Sequence, residues 1–200
     1  AAPITHFDTS EFKTKFACEL KNFDISQHLD RKEARRMDPF TQYAMVAADE
    51  AIKDADLFEN ETVNKDRFGV IWGSGIGGIN VFQQEIGGFF TGTGTPRFNP
   101  FFIPKMIIDI APGHISMRHG LRGPNFSAVS ACASSTNAMI DAYNYIRLGM
   151  ADLFVTGGSE AAICEGGIGG FNAMKALSEN NDNYATASRP FDLTRDGFVM

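Results

Sequence analysis

The stretch that most constrains this chain runs from Phe126 to Leu148. It opens as a short β-leaning run, Phe126 to Ala131, and passes into a helical pattern with no Pro or Gly at the joint. Ala138, Ala142, Tyr145 and Ile146 recur on one face at helical spacing, and Gly149 stands where a helix C-cap belongs. Cys132 falls at the joint, in the first turn of the expected helix. A thiol there faces unpaired backbone N–H groups and the positive end of the helix dipole, which favour thiolate over thiol. The thiolate is the nucleophile, and the same N–H groups are placed to hold an oxyanion forming on an attacked carbonyl. The alternative is a small buried hydrophobe, the usual role of a free cysteine.

Bulk properties narrow the classes. Two hundred residues with 44% hydrophobic content suit one globular domain or a piece of a larger one. A formal charge of −6 argues against nucleic-acid binding. Cys18, Cys132 and Cys164 are odd in number and widely spaced, which fits neither a disulfide framework nor a zinc site and agrees with a reducing cytoplasm. No apolar run approaches the ~20 residues of a membrane span, and no signal peptide opens the sequence.

In chain order, residues 1 to 30 read as a surface segment, with His6 and His28 as surface residues. In Asp30-Arg-Lys-Glu-Ala-Arg-Arg36, a helix stacks Arg31 on Arg35 and Lys32 on Arg36, making one basic face on an acidic chain. A solvated face is one explanation and an acidic macromolecular partner the other. Asp38-Pro39 is a helix start, after which Phe40, Ala44, Ala47, Ala48, Ala51 and Ala55 trace a small-residue face to about Leu57. Arg67 to Trp72 and Ala151 to Ser159 read as buried strands. Gly73-Ser-Gly-Ile-Gly-Gly78 matches G-x-G-x-x-G after a strand, but the acidic residue a dinucleotide site needs ~20 positions on is missing. Gly87 to Pro104 reads as a long loop. Lys105 to His119 reads as a helix broken near Pro112-Gly113, and carries His114 and His119. Leu121 to Asn125 is a turn. Gly166 to Phe171 reads as a second glycine-rich loop, with a short helical piece from Ala173 to Leu177. Ser188 to Met200 is turn-rich and then enters a strand.

Several of these strings together resemble a known family. Val129-Ser-Ala-Cys-Ala-Ser-Ser, Gly157-Gly-Ser-Glu, Gly169-Gly-Phe, Ala176-Leu-Ser, Ala187-Ser-Arg-Pro-Phe-Asp and Arg195-Asp-Gly-Phe-Val resemble the β-ketoacyl-acyl carrier protein synthases. His6-Phe-Asp-Thr-Ser, Arg31-Lys-Glu and Leu121-Arg-Gly-Pro extend the match over essentially the whole chain, and the pattern looks like the type II elongating members of bacterial fatty-acid synthesis.

The resemblance implies an α/β, thiolase-like layered fold made of two duplicated halves. Residues 1–200 would be a partial N-terminal ketoacyl synthase domain, without the opening strand and the whole C-terminal half. The catalytic histidines, a second oxyanion donor and a gating phenylalanine would lie in that second half, so this piece alone is expected to be inactive and poorly soluble. Cys132 would take an acyl group from acyl carrier protein, its N–H holding the oxyanion. A decarboxylative condensation with malonyl carrier protein would then give a 3-oxoacyl chain. Ile76, Ala131 and Phe171 match acyl-pocket residues, and Phe102 matches one contributed across a homodimer interface. Lys32, Arg35, Arg36 and Lys175 match the basic patch that receives the acidic carrier, joined by Arg97 in a loop that differs by one residue. No resident cofactor is implied, since the phosphopantetheine arrives on the carrier. A polyketide-type ketosynthase is a rival in the same fold. A non-catalytic chain-length subunit and a carrier-docking module are rivals of another class, and neither requires Cys132.

Overall fold

Phe68 to Gly73 is buried at every residue, and the larger of two compact units is built on it. The computed structural model describes residues 1–57 and 62–200. In chain order its strands are β1 (Ala2–Pro3), β2 (Phe16–Ala17), β3 (Phe68–Gly73), β4 (Asn125–Ala128) and β5 (Leu153–Gly158). Its α-helices are α1 (Arg31–Ala34), α2 (Pro39–Asp54), α3 (Ile79–Thr91), α4 (Phe102–Met106), α5 (Ile110–His119), α6 (Ser134–Arg147) and α7 (Glu165–Ala173).

Ile25–Ala161 forms the larger unit. Its sheet has the order β4-β3-β5, all parallel, with Gly73 level with Ala128 on one side and Gly158 on the other. A parallel sheet must be covered on both faces. Phe68, Val70 and Trp72 share one core with Phe40, Ala44, Met45, Ala48 and Ile52 of α2 and Ala111 and Ile115 of α5. Ile71 and Ala128 share another with Ala138 and Ala142 of α6.

The helix ends follow local chemistry. Asp38 caps α2 by accepting from Phe40 N at 3.3 Å, with Pro39 at the first position. The buried stripe of α2 differs from the expected small-residue face: Ala47, Ala51 and Ala55 are exposed, while Met45 and Ile52 are buried. Larger apolar side chains bury more surface, and the helix is rotated to suit them. Gly149, at φ 69°, ends α6: its N–H reaches Ile146 O at 3.0 Å and Met150 N reaches Tyr145 O at 2.9 Å, a Schellman pair. Tyr145 packs between Phe126 and Phe154, but Ile146, expected beside it, is exposed.

One expected loop and one expected helix break are corrected in this unit. Helix α3 continues through Gly87-Gly88, and only residues 92–101 form the connection to α4, which itself contains Pro104. Glycine costs a helix about 1 kcal/mol relative to alanine. Here the aromatic contacts of Phe89 with Phe90 and Phe98, at 5.2 and 5.6 Å between centroids, offset that cost. Helix α5 runs unbroken through Pro112-Gly113 because Pro112 lies in the first turn, where no N–H is required. The break falls earlier, between α4 and α5.

Ala1–Asp24 and Ala162–Met200 form the second unit. Residues 1 to 30 are therefore not simply surface: β1 pairs antiparallel with β2, and Ile4 and Ala17 share a core with Ile168 and Leu177. Burial raises the Glu19 pKa, but hydrogen bonds from Lys21 and Thr5 outweigh it and hold the carboxyl at about 2. The expected loop at Gly166 to Phe171 is α7, and the chain from Met174 to Leu177 is not helical. Leu177 bridges Phe198, so the chain does enter extended structure near residue 198. Among the described residues no helix is long and apolar enough to cross a membrane.

Candidate active site

Strand β4 ends at Ala128, and the chain turns sharply before α6. Ala131 takes a left-handed conformation, φ 51°, and opens a 3-10 turn, Ala131–Ala133, with Cys132 at its centre. The cysteine is thus one short turn ahead of α6 rather than inside it. Its thiol is exposed, not a buried hydrophobe. Buried Ser134 fixes the turn by donating to Ala131 O at 2.7 Å and accepting from Ser130 N at 2.9 Å. Asn137 Nδ2 donates to Ser130 Oγ at 2.6 Å. Neither side chain was singled out in the sequence; Ser/Asn at these offsets is a common capping pattern and carries too little signal alone.

Glycines bring this turn down onto the sheet. A Cβ on Gly73 would stand 2.4 Å from Ser134 C and O, and one on Gly158 would meet Ser135 Cβ at 2.7 Å. The paired glycines at the ends of β3 and β5 therefore let the start of α6 sit on the carboxyl edge of the sheet. That edge is where open α/β sheets present their ligands.

The loop after β3 abuts the same turn, for a Cβ on Gly75 would lie 3.4 Å from Ala131 O. Ile76, in this loop, is 40% exposed. Gly75 N and Ile76 N donate to Glu160 Oε2 at 2.7 and 2.9 Å, and Ser74 Oγ donates to Oε1 at 3.2 Å. A carboxylate of this chain thus fills the N–H cradle that a dinucleotide phosphate would need, a second reason for setting that reading aside. The role of Glu160 was not legible because its partners lie 84 or more residues away.

The structure brings the loop that carries Ile76 against the turn that carries Ala131 and Cys132, through Gly75 and Ala131 O. Phe102 begins α4 in an aromatic row, 5.7 Å from Phe98 and 6.4 Å from Phe82. Phe171 belongs to the second unit, packs edge-on against Phe198 at 5.3 Å and contributes to that unit's core. Lys32, Arg35 and Arg36 are exposed on and just after α1, where Asp30 caps Lys32 N and Glu33 N at 2.8 and 2.9 Å. The Arg36 guanidinium lies 5.1 Å above the Phe101 ring. Arg97 and Lys175 are exposed on separate loops.

The imidazoles of α5 serve other ends. His119 Nε2 lies 2.7 Å from Asp49 Oδ1, and burial lowers the pKa of His114. Burial likewise raises the pKa of Asp38, although Val81 N and Phe40 N donate to its carboxylate. Among the described residues no group of three or more His, Cys, Asp or Glu is placed to hold a metal.

This arrangement, an exposed thiol on a strained turn at the carboxyl edge of a parallel sheet, defines a site suited to acyl transfer. Residues 3–200 match the family described as Beta-ketoacyl synthase, N-terminal domain, and the chain belongs to that family. It is 50% identical over 197 residues to the 3-oxoacyl-[acyl-carrier-protein] synthase 2 of Staphylococcus aureus, covering 98% of this chain and 48% of that protein. It is 46% identical over 200 residues to the protein of the same name from Synechocystis, covering 99% of this chain and 47% of that protein. The chain therefore spans about half the length of the curated relatives it matches. The crystal structure of a β-ketoacyl synthase from Burkholderia phymatum superposes with a TM-score of 0.83 at 28% identity, covering 94% of this chain and 46% of that one. The thiolase-like α/β fold expected from the sequence is the fold found.

Proposed function

We propose that residues 1–200 supply the nucleophile-bearing N-terminal half of an elongating 3-oxoacyl-[acyl-carrier-protein] synthase. The observation that carries this reading is the exposed Cys132, held by left-handed Ala131 and the Ser134 bridge at the end of β4. Its thiolate attacks the carbonyl carbon of an acyl thioester on the carrier's phosphopantetheine. The C–S bond to pantetheine breaks, its sulfur leaves as thiolate and takes up the proton that Cys132 released on ionising, and the acyl group remains on Cys132. Malonyl carrier protein then loses carbon dioxide. The resulting carbanion attacks the acyl-enzyme, and Cys132 leaves as thiolate, giving a chain two carbons longer. Two histidines of the second half that the family resemblance implies would polarise the malonyl thioester.

No resident cofactor is needed in this scheme. The family resemblance assigns acyl-pocket roles to Ile76, Ala131 and Phe171 and a homodimer-interface role to Phe102, and the enzyme works in the cytoplasm. The same resemblance assigns carrier docking to Lys32, Arg35, Arg36, Arg97 and Lys175, whose positive charges suit an acidic carrier.

The test uses the complete protein and acyl carrier protein loaded with a medium acyl chain. Mass spectrometry of the Cys132 peptide is expected to show a thioester adduct, lost in Cys132→Ala. Binding without an adduct would favour a docking module or a chain-length subunit. Lys32→Glu combined with Arg36→Glu is expected to weaken carrier binding by about tenfold or more while small thioesters still react. Unchanged carrier affinity would remove the patch from the proposal.

A further inference from the structure

Three consecutive residues beyond β5 latch the loop between β3 and α3. Ser159 N donates to Gly73 O at 3.1 Å, and Asn80 Nδ2 donates to Ala161 O at 2.6 Å. Between them, Glu160 takes Gly75 N, Ile76 N and Ser74 Oγ on its two carboxylate oxygens. Ser74 Oγ in turn accepts from Gly77 N at 3.1 Å. The four residues 74–77 are thereby tied to one side chain, directly or through Ser74. The far end of the loop is also held by Gly78 N donating to Met106 O at 3.1 Å, but at Gly75 and Ile76 both N–H groups go to Glu160, and Ile76 is partly exposed.

The latched loop lies against the nucleophile turn, with Gly75 beside Ala131 O and Gly73 beneath Ser134. Neither the acylation chemistry nor carrier docking uses Glu160. Its bonds are also charge-assisted, about twice as strong as neutral ones. A glutamine in its place offers one acceptor oxygen and an N–H2 group that confronts the donors. The loop would lose its anchor without losing bulk.

We infer that Glu160 is a positioning residue that sets acyl-chain selectivity by fixing Ile76 against the Cys132 turn. This rests on the proposed function, because Ile76 limits a chain only if the acyl group lies beside it. Freed from Glu160, Ile76 samples several positions, and the pocket discriminates less between acyl chains differing by two carbons.

The experiment measures acylation of Cys132 in the complete protein from carrier proteins bearing acyl chains of graded length. It compares the native protein, Glu160→Gln, Ile76→Ala and the double variant. Glu160→Gln is expected to lower the ratio of kcat/KM for the preferred chain over one two carbons longer by about tenfold, the scale of one methylene in an apolar pocket. In the Ile76→Ala background the same substitution is expected to leave that ratio unchanged, which a merely destabilising effect would not do. An unchanged ratio in Glu160→Gln, or an equal shift in both backgrounds, overturns the inference. Should Glu160→Gln not fold, Ser74→Ala removes one donor to the same carboxylate; a smaller shift of the same sign supports the inference, and no shift overturns it. If the native protein forms no adduct at Cys132, the proposed function itself fails. Adduct formation with flat Glu160→Gln data leaves the function standing and removes only the role of Glu160.

Discussion

The tetrapeptide Gly-Ile-Gly-Gly occurs twice, at residues 75–78 and 167–170, and folds in two ways. In the first it is a loop. Gly75 N and Ile76 N go to the Glu160 carboxylate, Gly77 N to Ser74 Oγ and Gly78 N to Met106 O, and Gly77 takes φ 74°. In the second it is part of a helix, where Ile168 N reaches Cys164 O at 2.9 Å and the Ile168 side chain is fully buried. Backbone donors must find acceptors wherever they are buried. The four residues have no preference strong enough to choose, so the surroundings that offer acceptors choose for them.

Alanine at matched positions sharpens the contrast, because a Cβ reports what stands beside each glycine. At the first position, Gly167→Ala is expected to have the largest effect. Its Cβ would lie 1.9 Å from Ala162 O, a backbone atom that cannot swing aside. We expect a loss of about 3 kcal/mol in denaturant unfolding of the complete protein; a loss near zero would mean that α7 packs differently. At the fourth position the two copies are expected to differ in sign. Gly78→Ala places a Cβ 2.4 Å from Lys105 O and should cost about 1–3 kcal/mol, with slower acylation of Cys132 because the Ile76 loop shifts. Gly170→Ala meets nothing within 4 Å and should stabilise by about 0.5–1 kcal/mol, the ordinary gain of alanine over glycine in a helix. Equal signs at these two positions would break the comparison.

The same contrast explains what the sequence made legible. Asp38-Pro39 announced α2 because a cap and its helix are neighbours, and Gly149 announced the end of α6 for the same reason. The joint at Cys132 was visible as a change of pattern within one continuous run, displaced by one short turn. Helix α7 was not visible, since its glycines disfavour a helix and only the burial of Ile168 and Leu177 with Ile4 and Ala17 reveals the reason. Pro112 looked like a break because its place within the turn count depends on where α5 starts. Glu160 reads in sequence as a residue after a strand, and its work is done on atoms far along the chain.

The position of β3 in the middle of its sheet also shapes how the molecule must be assembled. Both partners, β4 and β5, follow it in the chain, and neither is joined to it by a hairpin. Pairings of such long sequence separation form late, after the entropy of closing large loops has been met. Until then Phe68 to Trp72 has earlier-made residues, chiefly those of α2 with Leu29, Ala34 and Met37, to shelter one face but no strand beside it, and an unpaired strand of this kind is a template for self-association. During synthesis, β3 stands without a strand on either side until β4 and then β5 have been made.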